Sequence, residues 1–236
     1  MNEFIVKFAD LKLKIKTRFD YMHEFCKDYL IDDDCYDLEI EVSDQDIIDM
    51  KQTLVFSDEY SESLAIYEQI ANKIVDFDAL VMHGACIKYL DYGLLFTAPS
   101  GTGKTTHIKL WKQVFGDDVD IVNGDKPIVR IINDQIRVYG TPYSGKENWH
   151  KNQDVALKAI CFIKQGKQNH IKRLSASEAL IPMYSQLYLP KSNKEHGLKA
   201  IALFDYLLKH VAIYELSCDI SSEAVMVSYK GMIEDE

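Results

Sequence analysis

The stretch GLLFTAPSGTGKTTHIKLW, residues 93–111, sets two glycines, a lysine and a pair of threonines between an apolar run and an apolar pattern of helical spacing. A loop can hold phosphate in that order: a buried strand delivers it, a helix leaves it, and loop N–H groups converge on the anion with the positive end of the helix dipole. On this reading Pro99, Ser100, Gly101, Thr102, Gly103, Lys104, Thr105 and Thr106 form a nucleotide-binding loop. Gly101 and Gly103 let the backbone approach phosphate oxygens, Lys104 neutralises the outer phosphates, and the Thr105 hydroxyl ligates Mg²⁺. Ala98 stands where the usual pattern has its first glycine. A glycine-rich turn that binds nothing is the competing reading, and the agreement of strand, loop and helix weighs against it.

Asp125 is the second candidate. If the helix after the loop crosses back over the sheet in the right-handed sense, the strand at 120–123 runs parallel to 94–97, and Asp125 arrives at the same crevice. There its carboxylate would hold Mg²⁺ or take the proton from an attacking hydroxyl; a plain turn aspartate in Asn123-Gly124-Asp125 is the alternative. His83 is placed by register: a hairpin closed at Asp91-Tyr92-Gly93 pairs residues whose numbers sum to roughly 184, which sets His83 near Gly101. A histidine in an apolar strand is otherwise a core residue. Lys126, Arg130, Arg137 and Lys146 surround the crevice in sequence, as phosphate or acidic-substrate ligands or as solvated cations. The segment from Gly140 to Lys146, with Pro142 and a second glycine inside it, suits a loop folding over phosphates or an ordinary connector.

The elements that must position these residues are read from periodicity. Alternation at 3–17 and 36–42 predicts antiparallel sheet, with the Asp32-Asp33-Asp34 run as a solvated turn rather than a metal site. Tyr67, Ile70, Ala71 and Ile74 predict a helix from Ser63, its N-cap, to about 76. Strands follow at 79–89, 93–97 and 119–123, with a helix at 103–115 and a strand pair within 128–139. After these come a strand at 156–163, helices near 176–187 and 196–210, a strand at 212–217 and a helix from Ser221. The fold class is therefore α/β: a mixed sheet carrying a phosphate loop, flanked by helices and preceded by an antiparallel β segment. Residues 1–75 read as a β-rich segment plus helix and 76–236 as the phosphate-loop domain; no linker marks a boundary, so one continuous domain is the alternative.

Composition narrows the partners. The formal net charge is −10 and the basic residues are scattered, so the stripe that nucleic-acid binding needs is missing. Five dispersed cysteines without a C-x-x-C pair read as reduced packing thiols. No window approaches ~18 uninterrupted apolar residues and the start lacks a signal-peptide pattern, so the expectation is a cytoplasmic protein without a membrane partner.

Over roughly residues 79–140 the sequence resembles the HPr kinase/phosphorylase family and its larger relatives, the ATP-dependent phosphoenolpyruvate carboxykinases. The resemblance rests on Met82-His83-Gly84, on Ser100-Gly-Thr-Gly-Lys-Thr-Thr106, and on Asn123-Gly-Asp125, in that order. Beyond that span it is similar to a group of bacterial HPr-kinase-like proteins through Asn123-Gly-Asp-Lys-Pro127, Gly140-Thr-Pro-Tyr-Ser-Gly-Lys146 and Lys158-Ala-Ile-Cys-Phe-Ile163. It implies a catalytic His83, a phosphate-binding Lys104 and a catalytic, metal-holding Asp125. Two positions depart from the family: Gly124 replaces the first of two adjacent aspartates, and Arg137 occupies the place of a metal-ligating glutamate. The implied function is an ATP- and Mg²⁺-dependent kinase acting on a hydroxyl, either serine or threonine of a peptide or protein or a small metabolite. The alternative is a nucleotide-binding module without catalysis, acting as sensor or scaffold. Family analogy also implies a homo-oligomer, and the chain is too short for carboxykinase-like decarboxylation.

Overall fold

Alternation of lysine with apolar residues builds the first hairpin. In the computed structural model, which describes residues 2–53, 56–190 and 193–234, β1 (Asn2–Phe8) pairs antiparallel with β2 (Leu11–Thr17). Leu13, Ile15 and Thr17 turn inward, while Lys14 and Lys16 reach Glu3 and Glu39 at 2.8 and 2.9 Å. Next come α1 (Tyr21–Phe25), β3 (Leu30–Ile31) beside β1, and β4 (Leu38–Glu41) beside β2. β4 runs parallel to β2, so the expected antiparallel start holds only for part of this sheet; the connection through α1 supplies the crossover a parallel neighbour needs.

Two helices cover the small sheet, α2 (Asp44–Thr53) and α3 (Asp58–Lys73). α2 was not expected from the sequence. α3 begins earlier than its apolar period: Ser57 is the cap, accepting the Tyr60 N–H at 3.3 Å, and Ser63 lies buried inside the helix. The first turn, Asp58-Glu-Tyr-Ser61, carries too few apolar residues for periodicity to show it.

The remaining chain forms a nine-stranded mixed sheet with helices on both faces. In chain order its elements are β5 (Ala79–Val81), β6 (Ala85–Tyr89), β7 (Tyr92–Thr97), α4 (Lys104–Phe115), β8 (Val119–Asn123), β9 (Ile128–Ile132) and β10 (Gln135–Tyr139). There follow β11 (Asp154–Gln165), β12 (His170–Arg173), α5 (Ala176–Tyr184), α6 (Lys194–His210), β13 (Ala212–Cys218) and α7 (Ser222–Tyr229). β7, β11 and β13 are parallel neighbours and the other pairs are antiparallel. Burial on both faces explains the unbroken apolar runs: Leu94 and Phe96 pack with Ile108 of α4 and Val225 of α7, whereas Leu95 packs with Met183 of α5 and Phe204 of α6. The expected strand at 79–89 is cut at 82–84, and its halves join different parts of the sheet.

The core of the small sheet continues into the large one through Val81, Ile128, Tyr139 and Tyr143. Cys26, Cys86, Cys161 and Cys218 are buried thiols as expected, whereas Cys35 is exposed. No described helix is long and apolar enough to cross a membrane.

Candidate functional site

Three chain segments end at one edge of the large sheet. β6 lies between β7 and β8 and runs antiparallel to both, so the ends of β7 and β8 and the start of β6 share an edge. β7 delivers the loop 98–103, β8 delivers Asn123-Gly124-Asp125, and His83 stands just before β6. The parallel relation between 120–123 and 94–97 is thus realised across an intervening strand. The hairpin register differs from expectation: Leu90 and Asp91 make the turn and Cys86 pairs with Leu95, which carried back to His83 points to Ala98 rather than Gly101. His83 is held by other segments. Its N–H donates to Gln186 O at 2.7 Å, its carbonyl accepts the Thr97 hydroxyl at 2.8 Å, and the next N–H, of Gly84, donates to Asp125 O at 2.8 Å.

The loop presents unspent donors. Gly103 begins α4 at φ +117°, in the left-handed region where a side chain is strained. The His107 N–H donates to Gly103 O at 2.9 Å, and helix geometry leaves the N–H groups of Lys104, Thr105 and Thr106 without intrahelical acceptors. No acidic residue sits in this first turn, so the positive end of α4 is not neutralised by its own chain. Lys104 is 8% exposed and its Nζ donates to Ala98 O at 2.6 Å, folding the ammonium back on the loop. Burial pulls its pKa below the ordinary lysine value, with the Asp125 carboxylate opposing.

Asp125 is aimed by Asn123. The buried Asn123 accepts the N–H groups of Asp125 and Lys126 at 2.9 and 2.8 Å through Oδ1, and its Nδ2 donates to Thr141 O at 2.8 Å. Asp125 Oδ1 then lies 3.4 Å from His83 Nε2, and Oδ2 lies 3.6 Å from Lys126 Nζ. Burial alone would raise the Asp125 pKa, but the His83 hydrogen bond and the charges of Lys126 and Lys104 outweigh it and hold the carboxyl below its usual value. On its other ring nitrogen, His83 Nδ1 lies 2.9 Å from Gln186 Oε1. Gln186 Oε1 and the Asp125 carboxylate are both acceptors, so each ring nitrogen of His83 faces a group to which an N–H can donate.

His83, Lys104, Thr105, Thr106 and Asp125 line one cavity of about 500 Å³, closed on the other side by Ser144–Glu147 and Trp149. Gly145, at φ +79°, brings this second loop against the carboxylate; a Cβ there would sit 3.2 Å from Asp125 Cβ. Ser100 and Gly101 line both this cavity and a neighbouring one of about 530 Å³, which Pro99, Thr102, Phe162 and Pro182 also border. The four candidate cations separate. Lys126 and Lys146 stand at Asp125, whereas Arg130 and Arg137 do not line either of these cavities. Arg130 donates to Phe77 O at 3.1 Å and Ala9 O at 2.6 Å, tying the two sheets together, and Arg137 pairs with Asp154.

Among the described residues no group of three His, Cys, Asp or Glu side chains forms a metal cage. A hydroxyl and one carboxylate beside a phosphate pocket is nevertheless a donor set that suits Mg²⁺, which keeps waters and takes phosphate oxygens as its other ligands. Sequence reasoning missed two positioning residues. Asn123 had a local signal, an Asx turn written as asparagine two residues before the carboxylate. Gln186 had none, because it reaches His83 from 103 residues away.

No protein-family model and no curated protein matches the chain. Among solved structures it is similar to the Hpr(Ser) kinase/phosphatase from Coxiella burnetii, at 11% identity and a TM-score of 0.30, over 55% of this chain and 91% of that one. A likeness of that size decides neither fold nor chemistry, and both rest on the geometry above.

Proposed function

We propose that the chain is an ATP- and Mg²⁺-dependent kinase that moves a γ-phosphoryl group to a hydroxyl of a peptide, protein or small metabolite. The observation that carries this reading is the meeting of Lys104, the unspent N–H groups of α4 and the His83–Asp125 pair in one cavity. Phosphates bind at residues 100–106, and Lys104 leaves Ala98 O to meet the outer ones. The nucleoside takes the adjoining cavity beside Pro99 and Phe162. Thr105 and Asp125 would hold Mg²⁺, which when bound would neutralise charge on the phosphate oxygens.

Asp125 orients the acceptor hydroxyl and takes its proton while the new O–P bond forms and the bond to the ADP oxygen breaks. His83, held through Nδ1 by Gln186, faces the carboxylate through Nε2 and assists the proton transfer by holding Asp125 in place. Positioning and charge supply most of the rate in such a transfer. The reaction draws on cytoplasmic ATP, the compartment proposed for the protein, and a homo-oligomer is proposed by analogy alone.

A binding-only module is favoured by one observation, the glycine at 124, where backbone rather than a second carboxylate fills the space. Labelled ATP, Mg²⁺ and candidate acceptors offered to wild type, Asp125→Asn and Lys104→Ala separate the readings. The kinase reading expects Asp125→Asn to keep nucleotide binding and lose transfer by about 10²–10⁴-fold, and Lys104→Ala to lose both. Equal transfer by all three removes these residues from the mechanism; tight ATP binding with no transfer to any acceptor leaves the module.

A further inference from the structure

We propose that the acceptor enters through the cavity of about 290 Å³ beyond Asp125, and that it is a peptide carrying an aromatic or aliphatic residue beside the serine or threonine to be phosphorylated. This rests on the kinase reading and names its substrate class. Asp125, Ser144, Gly145 and Lys146 line both this cavity and the phosphate cavity, so the carboxylate stands in the wall between them. In-line transfer needs the attacking oxygen and the leaving oxygen on opposite sides of the phosphoryl group, and two cavities meeting at one carboxylate provide that. The serine O–H proton passes to Asp125, the serine oxygen bonds to γ-phosphorus, and ADP departs with the electron pair of the broken bond.

The outer walls come from the N-terminal segment: Tyr21 and Phe25 of α1, and Tyr60 and Leu64 of α3. They are firmly held. The buried Glu62 carboxylate accepts the N–H groups of Arg18 and Phe19 at 2.8 and 3.3 Å, fixing the chain that leads into α1. Two hydroxyls near the rings are already spent, since that of Tyr143 donates to Ser63 O at 3.0 Å and that of Ser63 to Tyr60 O at 2.7 Å. The charged residues in its lining are Asp125, Lys126, whose Nζ lies 3.6 Å from that carboxylate, and Lys146. A polyhydroxylated acceptor needs partners around its whole surface, whereas a single hydroxyl beside an apolar group needs them at one end.

The apolar wall also outruns a small molecule. Tyr21 stacks on Phe25 at 5.7 Å and meets Tyr60 at 6.3 Å, and Tyr60 meets Phe56 at 4.8 Å, with Phe56 and Tyr60 each 38% exposed at the outer end. A row of rings on that scale spans several residues of an extended chain, which rises about 3.3 Å per residue.

The test uses the full chain with Mg²⁺ and a non-hydrolysable ATP analogue, and a set of octapeptides with a central serine whose neighbours are Phe, Leu, Gly, Asp or Lys. Binding is read by fluorescence anisotropy and, separately with ATP, transfer is read by mass. Peptides with Phe or Leu neighbours are expected to bind at least about tenfold more tightly than those with Gly or Asp, and Tyr60→Ala and Leu64→Asp to erase that preference while nucleotide affinity stays. Circular dichroism and nucleotide affinity show that each variant is folded. Selective binding without transfer supports this acceptor site and sinks the kinase reading instead. Binding indifferent to the neighbours, or a preference untouched by both variants, overturns the proposal even if a sugar or other alcohol is phosphorylated.

Discussion

Replacing Gly124 by aspartate writes back the acid that the family resemblance leads one to expect, and the geometry opposes any gain from it. An ideal Cβ on Gly124 would lie 2.8 Å from Ser144 O and 3.4 Å from Trp149 O. Ordinary contact begins near 3.4 Å, so the Ser144 carbonyl must retreat by about 0.6 Å, an overpacking displacement. Retreat is resisted on three sides. The Gly124 N–H donates to Trp149 O at 2.8 Å, the Lys126 N–H donates to Tyr143 O at 3.1 Å, and Gly145 already rests on Asp125. The new carboxylate would moreover face carbonyl oxygens.

Overpacking of this kind costs about 1–3 kcal/mol, and at this chain length each kcal/mol lowers Tm by about 2–4 °C. Gly124→Asp is therefore expected to lower Tm by roughly 4–8 °C for a cost near 2 kcal/mol, with phosphoryl transfer unchanged or reduced. Gly124→Ala, which carries the Cβ without charge, should show most of the steric part. Urea unfolding and thermal melts measure the first quantity, and labelled-phosphate transfer the second. An aspartate variant as stable as wild type and about tenfold faster, a barrier lowered by about 1.4 kcal/mol, would refute this account of the loop. The substitution consequently does not discriminate an impaired module from a working kinase, since either should fail to gain.

Three further outcomes follow from single contacts. Gln186→Leu removes the acceptor at His83 Nδ1 and should lower kcat about tenfold with an altered pH profile, while Gln186→Glu, which keeps an acceptor oxygen, should restore most of it; identical profiles for both variants would dismiss a positioning role. His107 is buried and neutral, its Nε2 accepting the Trp111 N–H at 3.1 Å, and burial pushes its pKa down from 6.5 to about 4. A depressed imidazole contributes stability that is complete above the unfolded value and lost as pH falls from 6.5 toward 4, here roughly 3 kcal/mol; urea titrations of wild type and His107→Gln should differ in slope across that window, and parallel curves would contradict it. Asn123→Ala strips the Asp125 N–H of its acceptor and leaves the Lys126 N–H with Tyr143 O alone, which should cost about 1–3 kcal/mol together with transfer, whereas Asn123→Asp should keep the turn; calorimetry and transfer assays read both.

What could be read from the sequence was local. Strand, glycine loop and helix at 94–115 announce themselves because each is coded within a few residues, and Asp125 follows because a right-handed crossover leaves little choice of edge. What was misread depended on partners far along the chain. Arg130 looks like a crevice cation in sequence, yet its guanidinium is spent on Ala9 O, 121 residues away. His83 was assigned to the site through a hairpin register that is three residues off, and it reaches Asp125 because Gly84 and Gln186 hold its backbone. The histidine stands in the same cavity as Lys104 and Asp125 despite the error in backbone register, because it needed only the right sheet edge.

That edge also explains why residues 1–75 belong to the chemistry proposed here. The β7-β6-β8 order exposes Asp125 on two sides: α4 and its loop occupy one, and without a second surface the other would open to water, which would compete with any acceptor hydroxyl. Tyr143 joins the two requirements. Its ring packs against Phe25 at 5.1 Å and Tyr67 at 4.6 Å, its hydroxyl donates to Ser63 O, and its carbonyl accepts the Lys126 N–H beside Asp125. The same residue thus seats the N-terminal helices and holds the turn that carries the carboxylate. A change that loosens α1 or α3 should therefore reach the aim of Asp125 through Tyr143, even where it touches no phosphate ligand.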